Sequence, residues 1–464
     1  MSRINTNVTS LIAQRVLQRN NNQVSTSLER LSTGLKINRG SDNPAGLIAS
    51  ENLRAEKAGI TQAIDNAQRA SILIGTAEGG LSEVSSLLIE VQGLTNQAAN
   101  TGGLSSEEVA ANQLQVDSIL STINRIAQST SFEGKKLLNG NYDYTTTTPT
   151  NATNVRVNAA RVPDGGTVAV AATVTTSAQT AHIGKIGAAA DNITIEIAGN
   201  DGSEQLTFAT GTAVADMITA INSVTTATGV SASLSGADLR VDSKNFGASQ
   251  FVSIKVISGT WANVGDGGTG KDSGVNAVVN VNGAAATVDG LNVSFRNSNL
   301  DVEFTLADHA NVAASFTISS GGATFALGSK VTESDKAAIG IASVSTATLG
   351  DSIGYLSTLG TGGANALTGT NLVTAQKIID KAIKQVSQLR GRLGAFQRFT
   401  IGSTVNSLGV ALENASAAES AIRDTDFAQE TAQLTRSQIL SQAATTVLAQ
   451  ANATPQNALA LLRG

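Results

Sequence analysis

The sequence contains no cysteine and only two histidines and four prolines among its 464 residues. The lack of cysteine excludes disulfide bonds, thiolate metal sites and cysteine nucleophiles, and two histidines leave little for metal or triad chemistry. Charged residues make up 14% of the chain, well below the roughly 25% of an ordinary soluble domain. These scarcities disfavour an enzyme, and we expect no catalytic residue, no metal site and no cofactor.

Basic charge is scarce where a nucleic-acid-binding protein would need it. The net charge is −5, and the middle of the chain, residues 141–370, holds 18 acidic against 10 basic residues. Phosphate binding requires a basic face, which this region does not offer. We therefore expect no nucleic-acid partner.

Long apolar runs are also missing. The longest near the start is residues 11–13, whereas a cleaved secretory signal needs an apolar core of about 7 to 15 residues. No stretch approaches the roughly 18 consecutive apolar residues of a membrane span. The Arg-rich, Ser-containing start also fits an organellar presequence, which stays open as a weaker alternative. We expect no membrane span and no cleaved signal.

Both ends of the chain carry apolar residues at helical spacing. A helix is predicted from near Ile4 to Gly34, and a second begins at Pro44 after the capping run 41–43. A third begins with the capping box of Ser105 and Glu108. The second helix has the clearest heptad, with isoleucine, alanine or leucine every seven residues, at Ile60, Ala67, Ile74, Leu81 and Leu88.

The far end repeats the pattern. One stripe alternates in steps of four and three as Ala375, Ile379, Ala382, Val386, Leu389, Leu393 and Phe396, and a shifted stripe continues from Ile401 to Leu412. A last helix is predicted after Asp424 and Asp426, ending where Pro455 stops it. Glycines inside these helices weaken them by about 1 kcal/mol each, so the helices need neighbours.

Between about 141 and 370 the apolar period falls to two. The isoleucines of 193–197 precede an Asn-Asp-Gly turn, and the valines of 279–281 precede Asn282-Gly283, which predicts hairpins. One short helix is predicted around Met217. The fold class is therefore α + β and multidomain: a long antiparallel helical bundle or coiled coil from both termini, with one or two inserted β-rich domains.

Three patterns suggest chemistry only weakly. Residues 265–270 match a glycine-rich dinucleotide fingerprint, but a strand rather than a helix is predicted after them, so we interpret them as a loop. His182 and His309 lack metal-ligand spacing and are interpreted as surface or packing residues. Asp424 and Asp426 suit a helix cap better than acid–base catalysis.

The outermost segments, 1–34 and 425–464, extend apolar stripes beyond the predicted bundle, where the chain offers few partners. Such segments alone would form marginal helices, and contact with other subunits would let them fold on assembly. This pattern indicates a self-assembling protein.

Several stretches are similar to bacterial flagellin: the opening Ile4-Asn-Thr-Asn, the run 28–38, the run Ser-Asp-Asn-Pro-Ala-Gly ending at Gly46, and the closing runs 403–408 and 419–427. The similarity covers about half of the chain. It implies a filament subunit for swimming motility, exported through the flagellar type III apparatus without a cleaved signal and located outside the cell. It also implies contacts with an export chaperone on the C-terminal helix, with the filament cap and with hook–filament junction proteins.

The resemblance further implies a division of the chain. Residues 1–40 and 419–464 would form the filament-core helices, 41–140 and 371–418 the helical tube domain, and 141–370 a variable outer insert. The terminal helices would pair as a coaxial coiled coil. The residues carried over as subunit contacts are Ile4, Val8, Leu11, Val16, Val24, Leu28, Leu31, Leu434, Ile439, Leu440, Val447 and Leu448.

Relatives of this family are recognised by Toll-like receptor 5 through a helix patch matching residues 89–97, in which an arginine is a main contact. Here Glu90 stands at that place, with Ile89, Leu94 and Gln97 around it. A reversed charge at a desolvated contact is costly, so we expect weakened recognition. The alternatives to a filament subunit are a hook–filament junction protein or a secreted coiled-coil adhesin.

Overall fold

The structure is a computed structural model. It describes residues 6–100, 102–163, 165–185, 191–261, 263–264, 270–307, 312–351, 353–369 and 371–463, with no side-chain description for 185, 263–264 and 455–463. The described chain divides into two compact units. The terminal unit comprises residues up to 68, 327–331 and from 402 onward, and the central unit comprises 69–326 and 332–401.

Helices occupy both ends of the chain and strands occupy the middle, as predicted, which confirms the α + β fold class. The helices are α1 (Val8–Thr33), α2 (Pro44–Ala98), α3 (Ser106–Ser129), α4 (Val214–Ser223), α5 (Thr225–Thr228), α6 (Leu372–Ala395), α7 (Gly402–Arg423) and α8 (Phe427–Arg463). A π-helix spans Phe396–Ile401, and short 3-10 helices span Glu333–Asp335 and Leu356–Leu359.

Polar caps fix where the first helices begin and end. Asn7 caps α1 by accepting a hydrogen bond from the backbone N–H of Ser10 at 3.0 Å, so the helix begins at Val8 rather than near Ile4. Gly34 ends it in the left-handed conformation. Asn43 accepts from the backbone N–H of Gly46 at the start of α2, and the predicted capping box of Ser105 precedes α3.

The proline expected to stop the last helix does not do so. Helix α8 continues through position 455 to Arg463. Proline removes one backbone hydrogen bond, but its fixed φ angle of about −65° is itself helical. The predicted end of the last helix was therefore wrong.

The predicted heptads form the helical core of the central unit. Residues at the heptad positions of α2 from Ala70 to Val91 are buried, and the stripe of α6 from Ala375 to Leu393 is buried as well. The π-helix explains why the next stripe is shifted, because the step from Phe396 to Ile401 is five residues rather than three or four.

Antiparallel sheets carry the first β-rich cluster. One sheet has the order β15 (Ala284–Ala285), β14 (Val278–Val281), β5 (Val168–Thr176), β19 (Ala314–Gly321) and β3 (Tyr144–Thr146). The other has the order β16 (Thr287–Asp289), β17 (Asn292–Arg296), β18 (Leu300–Leu306) and β4 (Ala152–Ala160). Both contribute alternate residues to one hydrophobic cluster, in which the rings of Phe304 and Phe316 meet edge to face at 5.7 Å.

A second hydrophobic cluster lies between two further sheets and α4, with Met217 buried in it as predicted. These sheets are β12 (Asn263–Val264), β6 (His182–Lys185), β10 (Asp238–Ser243) and β9 (Val230–Ser235), and β13 (Lys271–Ser273), β11 (Phe251–Ser258), β7 (Ile193–Ala198) and β8 (Ser203–Phe208). The remaining pairs are β1 (Ser131–Phe132) with β2 (Lys135–Lys136), β20 (Ala323–Ala326) with β21 (Lys336–Ile339), and β22 (Gly350–Asp351) with β23 (Gly354–Tyr355).

The two predicted hairpins are present. Strands β7 and β8 pair from Ala198 and Ser203 outward around the Asn-Asp-Gly turn. Asn282 and Gly283 both have positive φ, 49° and 83°, as a type I′ turn between β14 and β15 requires.

Candidate subunit interface at the terminal helices

Helices α1 and α8 pack against each other along their length in the terminal unit. At one end the side-chain amide of Asn7 donates to the backbone carbonyl of Ala451 at 2.8 Å. At the other end Arg30 Nη1 lies 3.6 Å from a carboxylate oxygen of Glu430. The two helices are therefore antiparallel.

Small and polar side chains form the buried face of this pair. The buried residues of α1 are Ser10, Ala13, Asn20 and Ser27. Those described on α8 are Ser437 and Ala444, and the Ser437 hydroxyl has no hydrogen-bond partner within the described residues. Small residues bury little apolar area, so this contact by itself contributes little hydrophobic free energy.

Large apolar side chains lie on the outside of the same pair. Seven of the twelve predicted contact residues are 42% to 60% exposed: Val8, Leu11, Val16, Leu28, Ile439, Leu440 and Val447. Four are half-buried: Val24, Leu31, Leu434 and Leu448. Ile4 lies outside the described residues. A helix pair that exposes its large apolar residues leaves a surface suited to further packing.

Sequence reasoning missed two residues with the same exposure. Ile12 is 48% exposed and Phe427 is 57% exposed. Ile12 lies in the short apolar run 11–13, and Phe427 lies in one of the closing runs, so both were visible in the sequence. Neither falls on the heptad positions that the prediction used.

The connections at one end of the helix pair are joined by backbone hydrogen bonds. The N–H of Thr425 donates to the carbonyl of Gly34 at 2.9 Å, and the N–H of Lys36 donates to the carbonyl of Arg423 at 2.7 Å. Nearby, the carboxylate of Asp42 accepts from two backbone N–H groups, which lowers its pKa below the usual value. The α1–α2 and α7–α8 connections are thus held together.

Ion pairs bind α7 to the start of α2 within the terminal unit. Lys57 Nζ lies 2.8 Å from Glu419 Oε2, and Arg423 Nη1 lies 3.0 Å from Glu51 Oε1. Hydrogen bonds from Arg54 and Arg423 lower the pKa of Glu51. Lys57, Glu419 and Arg423 are half-buried and Glu51 is exposed. Because water still reaches both pairs, each stabilises the unit only modestly.

The predicted receptor patch lies on α2 in the central unit. Ile89, Glu90 and Gln97 are exposed, whereas Leu94 is buried. Three of the four residues are therefore available to a partner, and Leu94 supports the helix from within.

The structure does not support a binding or catalytic site at the glycine-rich run, the histidines or the acidic pair described above. Lys271 begins strand β13 and not a helix, while residues 265–269 and His309 lie outside the described residues. His182 is exposed, with its Nδ1 3.8 Å from Asp272. Asp426 caps α8 through the backbone N–H of Ala428. Within the described residues, no group of three or more His, Cys, Asp or Glu side chains is placed to hold a metal.

The expectation that no segment is apolar enough to span a membrane was wrong for helix α2. By length and composition alone, this helix could cross a membrane. The apolar window is one-third buried, and core helices meet the same criterion. This is weak evidence for a membrane span.

Comparison with known proteins places these features in a family. The bacterial flagellin N-terminal helical region matches residues 4–143, the C-terminal helical region matches 376–462, and the flagellin hook IN motif matches 194–245. Flagellin D of Vibrio anguillarum is 31% identical over 466 residues, and flagellin D of Vibrio cholerae is 30% identical over 471 residues, each alignment covering 99% of both chains.

Solved structures are more distant. The FliC structure from Burkholderia pseudomallei is 16% identical, covering 71% of this chain and 99% of that one with a TM-score of 0.25. The flagellar junction protein FlgL from Legionella pneumophila is 14% identical, covering 82% and 100% with a TM-score of 0.26. TM-scores this low do not establish a shared fold, so the family is assigned from the sequence matches. The chain belongs to the bacterial flagellin family and is a structural subunit of the flagellar filament, not an enzyme.

Proposed function

We propose that the exposed apolar residues of α1 and α8 are the surface through which subunits polymerise. The observation that supports this is the arrangement of the helix pair, with small residues inside and large apolar residues outside. Burying those side chains between subunits removes apolar area from water at about 25 cal/mol per Å². Assembly would then supply the stability that the pair lacks alone, and the terminal helices would order as subunits add.

The domain boundaries form part of this proposal. Residues 1–40 and 419–464 would be the filament-core helices, 41–140 and 371–418 the tube domain, and 141–370 the outer insert. The insert suits an outer position because the residues of its two hydrophobic clusters all belong to the insert. A domain with its own core needs no neighbour in order to fold.

The partners follow from the same surface. Before assembly, the apolar residues of α8 are exposed to water, and an export chaperone would bind and shield them. Export would use the type III apparatus without a cleaved signal. At the filament ends the same surface is left open to a cap and to hook–filament junction proteins. No observation favours the junction-protein or adhesin alternative for this chain.

The test is seeded polymerisation followed by electron microscopy. The purified full chain is added to short filament seeds, beside a variant that lacks residues 1–34 and 425–464. We expect long filaments from the full chain and none from the shortened one, because the shortened chain lacks the apolar surface. Circular dichroism of the shortened chain checks that its central unit is folded. Equal elongation by both chains would contradict the proposal.

We propose that recognition by Toll-like receptor 5 is weak, because Glu90 is exposed at the place where the resemblance to flagellin implies an arginine in recognised relatives. We expect Glu90→Arg to raise potency in a receptor reporter assay by about tenfold or more, since like charges at a contact cost several kcal/mol. Glu83→Arg, also exposed on α2, is the matched control and should change little. Equal responses from the parent and the Glu90 variant would refute this.

A further inference from the structure

A basic groove runs along α1 in the terminal unit, with a volume of about 610 Å³. Its charged lining consists of Arg15, Arg19, Arg30 and Glu430, and the rest is mainly amide and hydroxyl side chains. Arg30 pairs with Glu430, whereas the exposed Arg15 and Arg19 form no ion pair with any described residue. The groove therefore carries two positive charges that have no ion-pair partner in the described part of the chain.

Two exposed acidic residues, Asp424 and Asp426, lie in the α7–α8 connection of the same unit. We call these two residues the acidic turn. The neighbouring Glu419 is paired with Lys57, and Glu430 with Arg30. Within the described residues the acidic turn forms only uncharged hydrogen bonds, from Ser420 to Asp424 and from backbone N–H groups to Asp426.

Arg30 and Glu430, at one end of the groove, lie next to the acidic turn, because the N–H of Glu430 donates to the carbonyl of Asp426 at 2.9 Å. Arg15 and Arg19, at the other end, are too far away to pair with the turn in one subunit. Asp424 forms a β-bridge with Leu35, just after α1 ends. Arg19 lies 16 residues before Leu35, which corresponds to about 24 Å at 1.5 Å per residue. Screening removes most of the attraction between exposed charges beyond about 8 Å at physiological salt. Within the described residues, Arg15 and Arg19 therefore have no acidic partner in the same subunit, whereas a second copy can supply one.

We propose that the basic groove of one subunit binds the acidic turn of a second copy in the filament, with the copies displaced along the helix direction by about 25 Å. The inference rests on the proposed polymerising role of the terminal helices. The occupant is a second copy because the same unit carries both opposite charges unpaired. Complementary charge of this kind raises the association rate and fixes the register of packing, while the apolar contacts supply most of the affinity.

Charge-swap variants in seeded elongation test the proposal. Arg15→Glu/Arg19→Glu and Asp424→Lys/Asp426→Lys are each expected to elongate about tenfold more slowly than the parent at low salt, with the difference shrinking at high salt. The quadruple variant restores opposite charges and is expected to elongate within about twofold of the parent. Lys244→Glu/Lys255→Glu, exposed in the insert, is the matched control and should elongate normally.

The outcomes are separable. Double variants that elongate like the parent would overturn the inference, as would a folded quadruple variant that stays slow, which would assign the groove to another anionic occupant. If circular dichroism shows that the quadruple variant is unfolded, an equimolar mixture of the two double variants presents the same complementary contacts and must elongate faster than either alone. A parent chain that fails to elongate would overturn the polymerising surface itself, and the inference with it.

Discussion

Replacement of Leu11 by aspartate is expected to leave the isolated subunit folded and to abolish seeded elongation. Leu11 is 58% exposed on α1, so the subunit itself loses little when the side chain becomes charged. In the proposed filament the same position is buried, and an unpaired carboxylate in an apolar contact costs at least about 3 kcal/mol. A penalty of that size weakens each subunit addition more than 100-fold.

The measurement is elongation from seeds, followed by light scattering and checked by electron microscopy. Leu234→Asp is a matched control, because Leu234 is 60% exposed but lies in the β-rich insert. It should elongate at the parental rate. Leu11→Ala is a milder variant that keeps the helix and should slow elongation by about tenfold. Normal elongation by a folded Leu11→Asp chain would remove this residue from the interface.

Truncation of a buried heptad residue is expected to produce the largest loss of stability. Ile74 on α2 is fully buried in the central unit, at 0% exposure. Its replacement by alanine removes the transfer free energy of the side chain and leaves a cavity, for a total cost of about 2–5 kcal/mol. We expect a lower urea midpoint for the transition of the central unit, followed by circular dichroism.

Ile72 provides a control of the same residue type on the same helix. It is 59% exposed, so Ile72→Ala should change the free energy of unfolding by less than about 0.5 kcal/mol. The contrast separates burial from helix propensity, since both variants replace isoleucine by alanine. Equal midpoints for the two variants would show that the heptad does not form the core of the central unit.

The sequence predicted the helical parts well because their signals are local. The cap before Pro44 and the box at Ser105 each need only a few neighbouring residues, and both are present in the structure. The stripe from Ala375 to Leu393 needed only a period of three to four. The prediction that Pro455 ends the last helix was wrong. Proline removes only one backbone hydrogen bond, and the sequence does not show whether that loss is enough to end a helix.

The sequence alone could not show which apolar residues of the candidate interface are buried in the helix pair and which are exposed. The apolar period on α1 treated Leu31 and Leu28 alike, yet the first is half-buried and the second is half-exposed. Spacing reports which residues share a helix face, but it does not report which face meets the partner helix. Ile12 and Phe427 were missed for that reason.

The amino-acid sequence by itself determined that this chain has helical ends and a β-rich middle, since the apolar period depends only on the order of residues. The tertiary structure decided which sides of α1 and α8 face each other. Small residues such as Ala13 and Ala444 let the two helices pack closely, and this choice leaves Leu11 and Val447 outside. It also placed Asp424 beside Leu35, about 24 Å along α1 from Arg19, because a backbone bridge joins residues 35 and 424.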